Sequence, residues 1–235
     1  MRNEALSGYV LHYRAYQEKR ALYYLFTEQH GVVHGIGKRG LPLFEPLQMF
    51  ATGKRDLKTL TQVQITAVNA PIRGSQQYMG LYLNEILYRL LPVEDPLPAL
   101  WAHYEASLNL LRQPLSDEAL KLCLREFESS LFNALGYEVL LSHDSEAQPI
   151  DAAQRYSYRA DIGFVPLVEI DPKATNNFSQ TSIFSGVDLL RMQEQGVGLE
   201  TLSLWSQLNR ELIAHLLDYQ PLQSRLLWQQ QQRYQ

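Results

Sequence analysis

The hydrophobic period of this chain changes at Pro71, and that change restricts it to folds in which a small sheet precedes a set of helices. Ahead of Pro71, short runs rich in β-branched and aromatic residues follow one another: Tyr9-Val-Leu-His-Tyr13, Ala21-Leu-Tyr-Tyr-Leu-Phe26, Val32-Val-His-Gly-Ile36, Leu47-Gln-Met-Phe50 and residues 57–68. Glu28-Gln-His-Gly31, between two of these runs, has the composition of a tight hairpin connection. Gly35, Gly37 and Gly40 suit sharp bends or bulges in a curled sheet. About five short strands in this space predict a small closed barrel of the OB type.

After Pro71, Tyr78, Leu81, Tyr82, Glu85, Ile86, Tyr88 and Leu90 recur at three- and four-residue spacing, with Ser75 placed as an N-cap and Pro92 as the stop. A second helix is expected over 97–111. A third is expected over 117–135, with Leu120, Leu124, Phe127, Leu131 and Leu135 on one face and Gly136 closing it. Residues 143–158 are polar and turn-rich, and 162–170 read as a short strand pair interrupted by Pro166. A last helix over 199–217 turns Leu202, Trp205, Leu208, Leu212 and Leu216 inward, Pro221 ends it, and the glutamine-rich 229–235 reads as a frayed tail. The expected fold is α+β: an OB-fold nucleic-acid-binding domain over 1–75, then a mainly helical domain over 76–235 with a short β/turn insertion around 143–175.

Charge divides the chain at the same place. Residues 1–75 carry ten Lys/Arg against five Asp/Glu, net +5, whereas residues 76–235 carry eleven against twenty, net −9. A basic module on an acidic body points to a polyanionic partner, nucleic acid foremost, although it says little about architecture. The single cysteine, Cys123, forms neither an internal disulfide nor a cysteine zinc site, and its apolar helical setting predicts a buried, inert thiol. The first residues lack the apolar core of a signal peptide, and no apolar run approaches the ~18 residues of a membrane span, so a soluble cytoplasmic protein is expected.

Several strings, taken in order, resemble the bacterial RecO family of recombination mediators. They are Val10-Leu-His-Tyr-Arg14 leading to Leu25-Phe-Thr-Glu28, then Lys58-Thr-Leu60, Tyr82-Leu-Asn-Glu-Ile-Leu87, Leu124-Arg-Glu-Phe-Glu128, Leu135-Gly-Tyr137 and Pro221-Leu-Gln-Ser-Arg-Leu-Leu227. The resemblance implies an OB-fold domain followed by a helical one. It implies a bacterial cytoplasmic protein, nucleoid-associated during repair, that binds single- and double-stranded DNA, anneals complementary strands, engages the C-terminal tail of the single-strand-binding protein, and works with RecR to load RecA. Some relatives hold four zinc-binding cysteines in the region matching 143–171. This chain has none there, so no structural zinc and no other cofactor is expected. The basic loop after the third strand is also short, reduced to Gly37-Lys-Arg-Gly40, which predicts few phosphate contacts and salt-sensitive binding.

The cations expected to meet DNA are Lys38, Arg39, Lys54, Arg55 and Lys58 in or beside the barrel loops, with Arg14, Arg20 and Arg73 in support. Tyr13, Tyr16, Tyr23, Tyr24 and Phe26 are available to stack bases, although period-2 burial accounts for about half of such rings as core. In the helical part the resemblance places Arg125 beside an apolar pocket, with Phe127, Tyr82 and Leu83 as its surroundings. An acidic tail ending in an aromatic ring and a free carboxylate requires such a pairing of cavity and guanidinium. The bland reading of Arg125 is a helix-surface ion pair, and of the three apolar residues, core.

Two other functional classes remain open from the residues. Asp161, Glu169, Asp171 and Lys173 echo the spacing of metal-dependent nucleases, in which strand carboxylates hold Mg²⁺ and a lysine steadies the attacking water. The string is short and common by chance, so no catalytic residue is assigned and a non-enzymatic mediator is favoured. A protein-interaction adaptor without DNA contact is the other.

Overall fold

The structure is a computed structural model that describes residues 2–167 and 182–233. Five strands form a closed barrel: β1 (Glu4–Gln17), β2 (Arg20–Thr27), β3 (Gly31–Lys38), β4 (Leu47–Thr52) and β5 (Leu57–Ile65), in the order β1-β2-β3-β5-β4. Every pairing is antiparallel except β3 with β5, which closes the barrel in parallel. Alternation decides what fills it. Leu6, Val10, Ala21, Tyr23, Leu25, Leu47, Met49, Ala51 and Leu60 point inward and form one buried cluster. Leu60 reaches across to β3, where a Cβ on Gly35 would lie 2.6 Å from its side chain, so that glycine is what admits the leucine. The expected OB-type barrel is therefore the fold, as is the succession of sheet and helices.

Three helices follow: α1 (Ser75–Leu90), α2 (Pro98–Leu111) and α3 (Asp117–Ala134). Gly74, not Ser75, occupies the N-cap of α1, at φ 60°, and Ser75 is its first helical residue. Gly136 follows α3 at φ 78°, the left-handed turn expected of it. Beyond lie β6 (Arg155–Arg159), β7 (Gly163–Pro166) and β8 (Ile183–Ser185), a three-stranded sheet in the order β7-β6-β8, then α4 (Gly186–Gln195), α5 (Leu202–Leu216) and α6 (Gln223–Gln232). Sequence periodicity missed β6, whose arginines at both ends made it read as turn, and α4, whose ten residues carry few apolar ones. The expected frayed tail is helical as far as Gln232.

The chain divides into two compact units, residues 1–116 with 221–235, and residues 117–220. This division keeps α1, α2 and α6 with the barrel, so it does not coincide with a boundary after residue 75. Within the first unit, Asn84 of α1 donates to the Val10 carbonyl of β1 at 3.1 Å and accepts from the buried Tyr104 hydroxyl of α2 at 2.6 Å. On the same side Tyr9 and Phe26 pack their rings against Trp101, both at 5.4 Å between centroids. The first unit carries fourteen Lys/Arg and nine Asp/Glu, the second seven and sixteen, so each keeps its own sign: +5 and −9.

In the second unit, Leu120, Leu124, Phe127 and Leu131 of α3 are buried, as is the Cys123 thiol side chain. Glu128, fully buried, accepts from Arg125 at 2.7 Å and from Asn209 of α5 at 2.9 Å, which ties α3 to α5 through a charge. Among the described residues no helix is long and apolar enough to cross a membrane.

Candidate nucleic-acid interface

With alternate residues of β2 and β3 committed to the core, the other set faces outward and lines up across strands. His12 pairs with Tyr24, Tyr24 with His34, and His34 with Leu57, giving a row that crosses β1, β2, β3 and β5. The next row is Arg14, Leu22, Ile36 and Thr59, and the last is Arg20 opposite Lys38. The first row is aromatic, the second mixed, the third cationic. An apolar floor edged by cations thus arises from register alone, since a one-residue slip of β2 or β3 would turn it inside the barrel.

The aromatic row is a single stack of contacts. The His12 ring lies on Tyr88 of α1, 4.8 Å between centroids and 16° between planes. Tyr24 meets His34 edge-on at 4.6 Å, and the Arg14 guanidinium sits 5.3 Å above the Tyr24 ring, also donating to its hydroxyl. Burial lowers both histidine pKa values, with the Arg14 charge adding to the effect. Glu85 opposes it at His12 and Asp56 opposes it at His34. Burial, with Glu85, raises the Tyr88 phenol. The row is therefore neutral near pH 7, able to offer ring faces and edges without repelling bases.

The expected DNA-contacting cations divide into groups. Arg20 and Lys38 are exposed and directly opposite, and Arg39, exposed beside them, donates its backbone N–H to the Lys19 carbonyl at 3.2 Å and its Nε to the Arg20 carbonyl at 3.2 Å. Lys19 thus joins this group, a residue the sequence reading did not select. Arg14 lies one row away. Lys54 and Arg55 are exposed in the β4–β5 loop, which precedes Leu57 and so stands toward the His34 end of β3. His34 and Lys38 are four residues apart, about 13 Å along the strand. Two cationic edges thus flank the aromatic row. Arg73 is exposed in the segment before α1.

Lys58, also expected to meet DNA, is set apart from these by its burial. It is 3% exposed, with Nζ donating to the Arg55 carbonyl at 2.7 Å and paired with Glu94, whose N–H in turn donates to the Val32 carbonyl at 2.8 Å. Position 58 shares the inward face with Leu60, so its ammonium closes one end of the barrel. We expect Lys58→Ala to lower unfolding free energy by about 2 kcal/mol in urea while leaving the salt dependence of DNA binding unchanged. A flattened salt slope in a variant that stays folded would return Lys58 to the interface.

Of the rings expected to stack, Tyr23 (1% exposed) and Phe26 (0%) are core, whereas Tyr13 and Tyr16 are both 53% exposed near the Arg20 edge and Tyr24 is half-buried in the row. His12, His34 and Tyr88 were missed. Histidines scattered in sequence carry no periodic signal, and only the register brings two of them to one line.

The residues expected around a partner tail fall in separate units. Tyr82 and Leu83 of α1 are buried in the first, and Phe127 of α3 is buried in the second. Arg125 is largely buried beside Glu128, the i,i+3 ion pair of the bland reading, with its Nε left without a partner. Asp161 is exposed in the turn between β6 and β7, while Glu169, Asp171 and Lys173 lie outside the described residues. Among the described residues no group of three or more His, Cys, Asp or Glu could hold a metal ion.

An OB-type barrel with a ring-lined, cation-edged outer face, followed by helices, has the make-up of a nucleic-acid-binding protein. The Recombination protein O C terminal family model matches residues 74–225. The chain is 35% identical over 231 residues to the DNA repair protein RecO of Pseudomonas paraeruginosa, covering 95% of this chain and 94% of that one. It is 34% identical over 242 residues to the RecO of Pseudoalteromonas atlantica (98% and 96% covered) and 36% over 229 residues to that of Stutzerimonas stutzeri (94% and 92%). This chain belongs to the RecO family of DNA repair proteins.

Proposed function

We propose that this chain is a non-catalytic recombination mediator whose barrel face binds single- and double-stranded DNA. The observation that carries the reading is the aromatic cross-strand row, with the Arg20–Lys38 row to one side and the exposed Lys54 and Arg55 of the β4–β5 loop to the other. Such a face pairs phosphates at its margins and stacks bases at its centre, each stacked base being worth ~1–3 kcal/mol. Arg14, Arg20, Lys38, Arg39, Lys54, Arg55 and Arg73 are the cations assigned to DNA.

Annealing follows from the same face. Cations on both sides of the floor reduce the repulsion between two phosphate backbones, and weakly stacked bases stay free to test pairing. No bond is made or broken by the protein. Capture of the single-strand-binding protein's acidic C-terminal tail is assigned to Arg125, whose unpartnered Nε offers a donor in an otherwise acidic unit. Recruitment of RecR and loading of RecA onto coated DNA then require only that these partners be held close together. The work belongs at the bacterial nucleoid.

The test is fluorescence anisotropy of a labelled oligo-dT over a salt series. Wild type is expected to bind with a negative log–log salt slope. Arg20→Glu/Lys38→Glu is expected to lose at least about tenfold in affinity and roughly 1.4 units of that slope, the share of two phosphate contacts on a single strand. An unchanged slope in the double variant would move the DNA surface off this face.

A further inference from the structure

The second unit contains a cavity of about 720 Å³ that the DNA reading does not use, open between the end of α3, the 143–148 turn and the β6–β7 turn. Its floor is the pair of buried rings Tyr158 and Phe164, 5.1 Å between centroids. Its lining includes three large apolar side chains left in solvent, Tyr137 (40% exposed), Leu140 (64%) and Ile162 (50%). The walls are held by hydrogen bonds: Asp144 Oδ1 accepts the N–H groups of Glu146 and Gln148, each at 2.9 Å, and the Ser145 N–H donates to the Phe164 carbonyl at 2.8 Å.

Among the described residues the formal charge on the lining has one sign. Glu138, Asp144 and Asp161 line the cavity, and among the described residues no lysine or arginine does. Glu211 adds to the negative field. The Tyr158 phenol is pushed up to about 12, by burial first and then by Glu211, and Tyr219, which donates to Glu211 at 3.5 Å, feels both Glu211 and Asp161. With the unit at net −9 and Arg125 not on the lining, this cavity disfavours an anionic ligand and draws in a cationic one.

We propose that this cavity is a docking site for a linear segment of a partner protein that carries a bulky apolar side chain flanked by lysine or arginine. The apolar side chain enters over Tyr158 and Phe164 between Leu140 and Ile162. The flanking cations pair with Glu138 and Asp161. Three exposed apolar residues account for the first contact and the single-signed lining for the second. The inference is independent of the DNA reading, because the barrel lies in the other unit and bears the opposite charge.

The full-length protein, labelled with ¹³C at Ile, Leu and Val methyls, is titrated with a five-residue peptide amide having a central leucine between arginine and lysine and glycine at each end. A second peptide has glutamate in place of both cations. Saturable shifts of the Ile162 and Leu140 methyls with the cationic peptide only, weakened about tenfold in Glu138→Gln/Asp161→Asn, and loss of the Leu140 response in Ile162→Gln, are expected. Two exposed charge pairs account for a change of that size. Three results would overturn the proposal: no saturable shift at either methyl, an equal response to the glutamate peptide, or concentration-dependent shifts of the same methyls without peptide. The last would place a second copy of the chain there.

Discussion

Gly31→Ala will destabilise the barrel by about 4 kcal/mol or more, a loss large enough to abolish cooperative urea unfolding of the first unit. Gly31 opens β3 at φ 63°, where an alanine is strained, and a Cβ there would lie 1.9 Å from the Asp95 carbonyl oxygen. The loop bearing Asp95 cannot simply retreat. Glu94 is fixed to the Val32 carbonyl by its backbone and to Lys58 by its side chain, so relieving the clash breaks both. Gly40→Ala is the control, because its φ of 95° is equally unsuited to alanine but nothing lies within 4 Å of the added methyl. It should cost only the ~1–3 kcal/mol of backbone strain. Equal losses in the two variants would mean that the loop yields and the closed barrel end is not rigid.

The second large effect concerns Glu85, a carboxylate only 6% exposed on α1. Its two oxygens accept from the Gln223 N–H at 2.8 Å, the Ser224 N–H at 2.8 Å and the Ser224 hydroxyl at 2.6 Å, and Arg89 lies 3.5 Å away. Helix α6 has no side-chain cap of its own, so a residue some 140 positions upstream caps it. A buried carboxylate on a helix N-terminus is supported by the dipole as well as by the donors. Glu85→Ala should therefore cost about 3 kcal/mol and free α6, read as rapid tryptic cleavage after Arg225. Glu85→Gln, which keeps an acceptor, should lose less. Cleavage unchanged in the alanine variant would show that the Tyr78–Trp228 ring contact holds α6 without the carboxylate.

What could be read in advance follows from where the signal lies. The five strands and the three helices up to residue 134 were legible because their periods of two and 3.6 are long enough to count, and Gly136 ended α3 as a left-handed residue should. The strand β6 was not, since its inward residues Tyr156 and Tyr158 are only two, set between arginines. The barrel's cations were visible as types, but their sorting was not. Lys58 and Arg55 differ by three positions, and only the inward phase of β5 separates a buried ammonium from an exposed guanidinium. The His12–Tyr24–His34 row required a register that single-sequence periodicity does not carry. Glu85 falls among the regularly spaced positions of α1 with nothing local to mark its role, because its partners Gln223 and Ser224 arrive from the far end of the chain.

The segregation of charge between the two units has a consequence for crowding. On the DNA-binding reading proposed above, a molecule held to a strand by its +5 unit would add a net −9 body to an already anionic polymer, so each molecule bound would raise the electrostatic cost of seating its neighbour. Such binding is self-limiting. At low salt, molecules on a shared strand would then space themselves apart, leaving stretches of bases uncovered for other proteins or for a complementary strand. Added salt shortens the range of that lateral repulsion to about a Debye length, ~8 Å at physiological ionic strength, at the same time as it loosens each molecule's own hold. On that reading the acidic unit would set occupancy along the strand, and the basic one affinity at each point.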